Sequence, residues 1–202
     1  MTIEKGAAWG APGSLPDDGV VVRSDAEARA VLEDARHRGA PFPALGLLDG
    51  DLARTLAAPG DEARLRTAAA MTFPVDLGQV LVDGRLHLFV AHVVARNRWW
   101  TRAVVAMNAQ WFGPWNLGPK AHPNDGLLDT FDAKLPVGDL WKVRRRLPTG
   151  SHLPHPGISG RRATSVAFEL DRPLRVWVDG EAVDEGRSIV VRLEPDALHV
   201  VT

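Results

Sequence analysis

The sequence predicts a mainly β protein, an antiparallel β-sandwich with a small residual α/β segment at its N-terminus. Three observations carry this. From about residue 75 onward, short apolar runs recur between Gly, Pro and Asp turns, with almost no helical periodicity. Residues 20–58 alone alternate short apolar runs with helical spacing, the pattern of strand–helix–strand–helix. The 202 residues are 45% hydrophobic, enough for a sizeable core in one domain or one domain with an appendage.

Residues 1–19, rich in Gly, Ala and Pro, are expected to be a loose terminus. Residues 20–74 form the α/β part. Val20-Val21-Val22 is a candidate strand, and Ser24 stands at an N-cap with Glu27 at capping-box spacing. Ala28, Val31, Leu32 and Ala35 follow at helical intervals until Gly39 stops the helix. Ala44–Leu48 reads as a second strand, and Asp49–Pro59 as a second helix. Residues 75–202 are the sandwich. Val75–Val82 leads into an Asp83-Gly84 turn, and Arg85–Val94 returns as its hairpin partner. Further strands are predicted at Thr101–Gln110, Leu128–Leu135, Ala163–Leu170, Leu174–Val178, Ser188–Leu193 and Ala197–Val201. Val143–Leu147 is too short and basic to assign.

Composition narrows the function classes. Without cysteine there is no disulfide framework, thiolate metal site or cysteine nucleophile. Met1–Leu15 lacks the apolar run of a signal peptide and no stretch approaches 18 apolar residues, so a soluble cytoplasmic protein is expected. The net charge of −1 conceals a basic middle: residues 85–162 hold 12 basic and 4 acidic side chains, between acidic ends. Five of the seven Trp (Trp99, Trp100, Trp111, Trp115, Trp141) are interspersed among those arginines. Indole and guanidinium together suit an anionic lipid interface, hence possible peripheral membrane contact. The plainer reading is that the Trp fill the core and the arginines are solvated. Because Trp99 and Trp100 are adjacent, one should face away from the core and call for a partner or a homodimer interface. A pI near 6.7 and no known module argue against nucleic acid. His152 and His155 flank Pro154 without an evident third ligand, and His87 and His92 fall on opposite faces of one strand, so neither pair makes a natural metal site. No Gly-x-Ser-x-Gly elbow is present.

Two acidic turns stand out, Asn124-Asp125-Gly126-Leu127-Leu128-Asp129 and Val178-Asp179-Gly180-Glu181. Alone, each is ordinary turn chemistry. Their order is more informative: Asn108-Ala109, a Gly-containing loop, Pro119–Asp129, Gly150-Ser151-His152, then Asp179-Gly180-Glu181. This succession resembles the C-terminal domain of bacterial diacylglycerol-kinase-like (YegS-type) lipid kinases, relatives of the sphingosine and NAD kinases. Upstream, Leu45–Pro59 resembles the family's strand and Asn-Asp-x-Ala-Arg helix, and Val75-Asp76-Leu77-Gly78 resembles its "iDlG" strand. The resemblance spans about residues 20–202 and is most specific over 104–201.

By that resemblance, an α/β nucleotide domain pairs with a β-sandwich that accepts lipid. Asp179 would orient or deprotonate the acceptor hydroxyl, and Glu181 would be the catalytic carboxylate, as phosphoryl transfer requires. Asp125 would hold a structural Mg²⁺ together with the backbone carbonyls of His122 and Leu127, the oxygen ligation such a cation prefers.

The departures bear on activity. The family's phosphate-binding Gly-Gly-Asp-Gly-Thr turn should follow Val22, where this chain has Arg23-Ser24-Asp25-Ala26-Glu27. The second nucleotide motif is shortened to Leu48-Asp49-Gly50-Asp51, with Asp51 its remnant. The first nucleotide-domain elements, and a stretch after the "iDlG" strand, are also expected to be absent. A degenerate homologue is therefore expected, not binding ATP and serving as a lipid- or ligand-binding protein or as a regulator through a partner chain. The alternatives are an active lipid kinase with a rebuilt or trans-supplied nucleotide site, and a structural assembly protein.

Overall fold

The computed structural model describes residues 9–202. Of the stretch expected to be loose, residues 1–8 lie outside the described residues, whereas residues 9–19 are tied down. β1 (Ala11–Pro12) pairs with Thr72 and Met71, and Leu15 is buried beside Leu65, Ala70 and Val201. Burying one apolar side chain is enough to fix such a terminus.

β2 (Val20–Val22) and β3 (Leu45–Leu47) pair in parallel across α1 (Asp25–His37), the crossover a parallel pair needs. α1 buries Ala28, Leu32 and Ala35 and starts where Ser24 Oγ accepts the Glu27 N–H at 3.1 Å. The capping box is offset by one residue, since Glu27 accepts the N–H of Arg23 rather than of Ser24. α2 (Asp51–Thr55) completes this part.

The remaining strands are β4 (Met71–Val82), β5 (Arg85–Phe89), β6 (His92–Arg96), β7 (Arg102–Met107), β8 (Leu128–Lys134), β9 (Ile158–Ala163), β10 (Ser165–Val178) and β11 (Glu181–Val201). They pair antiparallel in the order β1–β4–β11–β10–β6–β7–β8–β9, with β5 on β4, and β3 joins β11 in parallel. Asp83 and Gly84 both have positive φ (45° and 85°), the geometry that suits the twist of the β4–β5 hairpin. Gly78 lies opposite Phe89, whose ring would stand 2.2 Å from any added Cβ; the glycine makes room for that buried ring.

The sheet folds on itself through bulges in its longest strands, between Glu169 and Leu174 and between Glu194 and Leu198. The runs predicted as four separate strands are therefore two bent ones. Between the facing halves lies a core of Val80, Val82, Phe89, Val93, Val104, Leu128, Val176 and Ile189, among others. On β7 this core takes Val104 and Ala106, while Ala103, Val105 and Met107 point outward into a further layer. That layer is roofed by α3 (Val137–Arg146), which takes up the unassigned segment as far as Arg146; Val143 on the helix and Leu147 just after it pack inward. Trp100 and Trp115 belong to this outer layer, so the tryptophans do not fill the sandwich core.

The partner strand predicted over Arg85–Val94 divides at Val90-Ala91: β5 pairs with β4, and β6 crosses to β10 and β7. The cause is a carboxylate from the far end of the chain.

Candidate functional site

That carboxylate is Asp179, at the turn between β10 and β11. Its Oδ2 accepts the N–H of Val90 at 2.9 Å, and its Oδ1 accepts those of Ala91 at 2.9 Å and His92 at 3.1 Å. Asp179 and Gly180 have positive φ (49° and 86°), so this turn too has the hairpin form that Asp-Gly favours. The residue is buried, and burial pushes its carboxyl above the ordinary range, offset in part by His92 and the three amides. Glu181, one residue beyond the turn, is exposed and takes Arg29 Nη2 of α1 at 2.5 Å.

His92 links this turn to the N-terminal segment, its Nε2 lying 2.9 Å from Asp51 Oδ2. Burial alone would lower the His92 pKa, but the Asp51 hydrogen bond and the charges of Asp179, Asp51 and Asp25 raise it. Burial likewise works to raise Asp51, and the His92 bond and the Gly113 N–H bring it below its usual value. The two shifts agree, describing an imidazolium–carboxylate pair. Asp25 closes the group: it accepts the N–H of Asp51 at 2.5 Å and of Leu52 at 3.1 Å, and burial followed by the Asp179 charge lifts its carboxyl to about 7.

Asp25, Asp51 and His92 offer ligand atoms all within 4.8 Å of one another. The donor set does not fit Mg²⁺, which wants an oxygen shell; one donor is an imidazole nitrogen, and the carboxylates are engaged by backbone N–H groups. Two amides of the phosphate-turn positions are engaged likewise, that of Arg23 by the Glu27 carboxylate at 2.7 Å and that of Glu27 by Ser24 Oγ at 3.1 Å. Beside them lies a groove of about 490 Å³ lined by Arg23, Asp49, Asp51 and Arg54 together with Leu48 and Ala58, with Arg54 stacked 3.5 Å over Trp111.

The Asp125 loop stands apart from this group. Asp76 fixes it, accepting the Gly126 N–H at 2.8 Å while its own N–H donates to the Pro123 carbonyl at 2.7 Å. Burial raises the Asp76 carboxyl to about 6. The expected Mg²⁺ ligands Asp125, His122 and Leu127 sit together here, but a cation of the protein's own fills the position. Arg162 Nη2 pairs with Asp125 Oδ2, Arg162 Nε holds Asp129 Oδ1 at 2.9 Å, and Asp125 Oδ1 accepts the Leu127 N–H at 3.0 Å. Both oxygens of Asp125 are thus engaged, and the loop as folded does not fit a metal.

An apolar cavity of about 340 Å³ opens in the outer layer, beneath α3. Ala103 and Ala133, directly opposite on β7 and β8, form part of its floor, with Trp100, Trp115 and Leu140 on its walls. Within this lining, His152 is buried and, among the described residues, neither ring nitrogen has a hydrogen-bond partner. Burial holds its pKa below the usual value, so the ring is neutral, one nitrogen a donor and the other an acceptor.

Sequence reasoning therefore located the two acidic turns and Asp51 but missed Asp25 and His92. Asp25 lay hidden inside the capping signal of Ser24. Local spacing relates His92 only to His87, whereas its partners come from other segments.

Residues 65–202 match the family described as "YegS C-terminal NAD kinase beta sandwich-like domain". Among solved structures, a protein provisionally named as a diacylglycerol kinase, from Bacillus anthracis str. Sterne, superposes with a TM-score of 0.64 at 16% identity, covering 91% of this chain and 77% of that one. A diacylglycerol kinase from the same organism superposes with a TM-score of 0.58 at 17% identity, over 91% and 75% of the two chains. At such identities the likeness speaks for the fold. Among curated proteins none matches the chain.

Proposed function

From a chain that belongs to the YegS C-terminal NAD kinase beta sandwich-like domain family, we infer a degenerate lipid-kinase homologue that binds a lipid-like ligand and has no autonomous ATP-dependent kinase activity. The binding half of this reading rests on one observation, the apolar cavity under α3 with the unpartnered His152 among its walls. A cavity of about 340 Å³ is at the small end of the roughly 300–1,000 Å³ range of ligand pockets, room for part of an acyl chain. A neutral buried imidazole gains a partner from a hydroxyl or ester group but not from hydrocarbon, so the ligand is an amphiphile.

Self-occupied amides support the loss of phosphoryl transfer. Polyphosphate is held by backbone N–H groups, and here Glu27 covers that of Arg23, Asp51 that of Gly113, and Asp25 those of Asp51 and Leu52. Of the acidic turn, Asp179 is spent on three amides and Glu181 on Arg29. Asp179 is thereby withheld from a lipid hydroxyl, and the Glu181 oxygen that faces Arg29 is withheld with it.

Trp100 and Trp115 line the cavity, so their fluorescence reports on it. Titration with a soluble short-chain monoacylglycerol should saturate, and the cavity-filling Ala133→Phe should weaken that binding by about tenfold or more. ATP·Mg²⁺ should produce no saturable change. Transfer of labelled phosphate from ATP to diacylglycerol by the purified chain would overturn the degenerate reading, and indifference to the Ala133→Phe change would overturn the cavity.

A further inference from the structure

The mouth of the cavity carries the most conspicuous apolar surface of the protein. Among the described residues four large apolar side chains are exposed, and Trp99 (68%), Val137 (75%) and Trp141 (67%) all line this one cavity. On α3, Val137 and Trp141 are four residues apart and share a face, while Val143, and Leu147 just past the helix end, point to the core. Arg144 and Arg145, three and four residues beyond Trp141, flank that face on either side. Trp99, in the turn between β6 and β7, has Arg98 5.2 Å from its ring centre. The helix holds Lys142, Arg144, Arg145 and Arg146 against a single acid, Asp139, which Lys142 pairs at 3.0 Å.

We propose that α3 and the β6–β7 turn are a docking surface for an anionic lipid bilayer, from which an acyl chain passes directly into the cavity. Indole rings favour the headgroup boundary of a bilayer, and arginines beside them reach the phosphates above it. The apolar ridge and the cavity are continuous, so a chain leaving the bilayer need not cross water. A second copy is a poorer occupant, since a twofold contact through this face would bring two net-basic helices together. The inference rests on the cavity taking an acyl chain, and its test keeps the two apart.

The full chain is sedimented with phosphatidylcholine vesicles, with and without phosphatidylglycerol, at low and high salt. Binding should require the anionic lipid and weaken by about tenfold or more in high salt. Trp99→Ala with Trp141→Ala should cut vesicle partitioning by about tenfold or more; both side chains are exposed, and circular dichroism checks that the fold is kept. Arg98→Gln with Arg145→Gln, outside the cavity lining, should reduce vesicle binding by about tenfold while leaving the soluble monoacylglycerol titration unchanged. Wild-type levels of vesicle binding in both variants, no vesicle binding by the wild type, or a dimer in solution that the tryptophan changes dissolve would each overturn the docking surface. Vesicle binding with no monoacylglycerol binding would sink the cavity reading and leave docking standing.

Discussion

Asp179 offers the sharpest test, because its position in an acidic turn suggests chemistry and its contacts suggest architecture. In Asp179→Ala, three buried amide donors, those of Val90, Ala91 and His92, lose their acceptor. Each stranded donor costs roughly 1–3 kcal/mol, so the loss should reach about 3–9 kcal/mol. Removing a buried carboxylate whose pKa is already pushed up returns part of this, leaving about 3–5 kcal/mol of a total stability near 5–15 kcal/mol. Asp179→Asn keeps one oxygen, which can serve the two amides now on Oδ1, and strands only the Val90 N–H, about 1–3 kcal/mol. For a chain of this size, each kcal/mol moves Tm by about 2–4 °C, giving a fall of roughly 6–20 °C for alanine and 2–12 °C for asparagine. Thermal melts by circular dichroism, repeated as urea titrations to confirm an unchanged slope, measure the difference. An alanine variant that melts within about 2 °C of the wild type would refute the clamp.

Other outcomes follow from the same geometry. Asp25 and Asp76 have pKa values raised to about 7 and about 6, and His92 is raised also, so the folded state holds protons that the unfolded chain releases. These three groups should make stability decline as pH rises from about 4 to above 7, with His122 and His152, whose pKa values are lowered, opposing them near neutrality; a Tm rising over the whole window would contradict it, and Asp25→Asn should flatten the slope. His152→Leu, which removes two unpartnered buried nitrogens, should raise Tm by a few degrees while weakening monoacylglycerol binding; a lower Tm would mean that the ring has a partner in the free protein. Millimolar Mg²⁺ should leave the wild-type Tm unchanged, whereas Arg162→Ala, which frees Asp125 and Asp129, should become Mg²⁺-responsive. A wild-type Tm that climbs with Mg²⁺ would show that the metal displaces the arginine.

Local chemistry made parts of this fold legible. Ser24, Gly39 and the Asp83-Gly84 turn carry their geometry in two or three neighbouring residues, and α1 and the first hairpin stand where those signals put them. The division at Val90-Ala91 depends on a carboxylate 89 residues later in the chain, which no window of local sequence contains. α3 opens on Pro136 with no side-chain cap and carries a basic run, so its amphipathic face is visible only once the sheet beneath it is known. β9 is mostly exposed and lacks an alternating apolar pattern; its pairing with β8 comes from position. At the site, resemblance found both acidic turns, while the partners that change their meaning, Arg29, Arg162 and His92, sit in other segments. For the tryptophans the sequence leaves core and interface open, and the sheet fills its core mainly with Val, Leu and Phe.

β11 has a practical consequence for anyone dividing this protein. The same strand that begins beside the acidic turn ends with Val200 and Val201 hydrogen-bonded in parallel to Leu45 and Gly46, after running antiparallel to β4 for most of its length. A fragment cut at residue 74 would bare Leu198 and Val200 along an open strand edge, where they now lie beneath α1 and α2. Among the described residues the α/β and β parts are thus joined through one strand and one shared core. Expressed alone, the sandwich should be the sticky half of a single body, so circular permutation or surface mutation is the sounder way to take it apart.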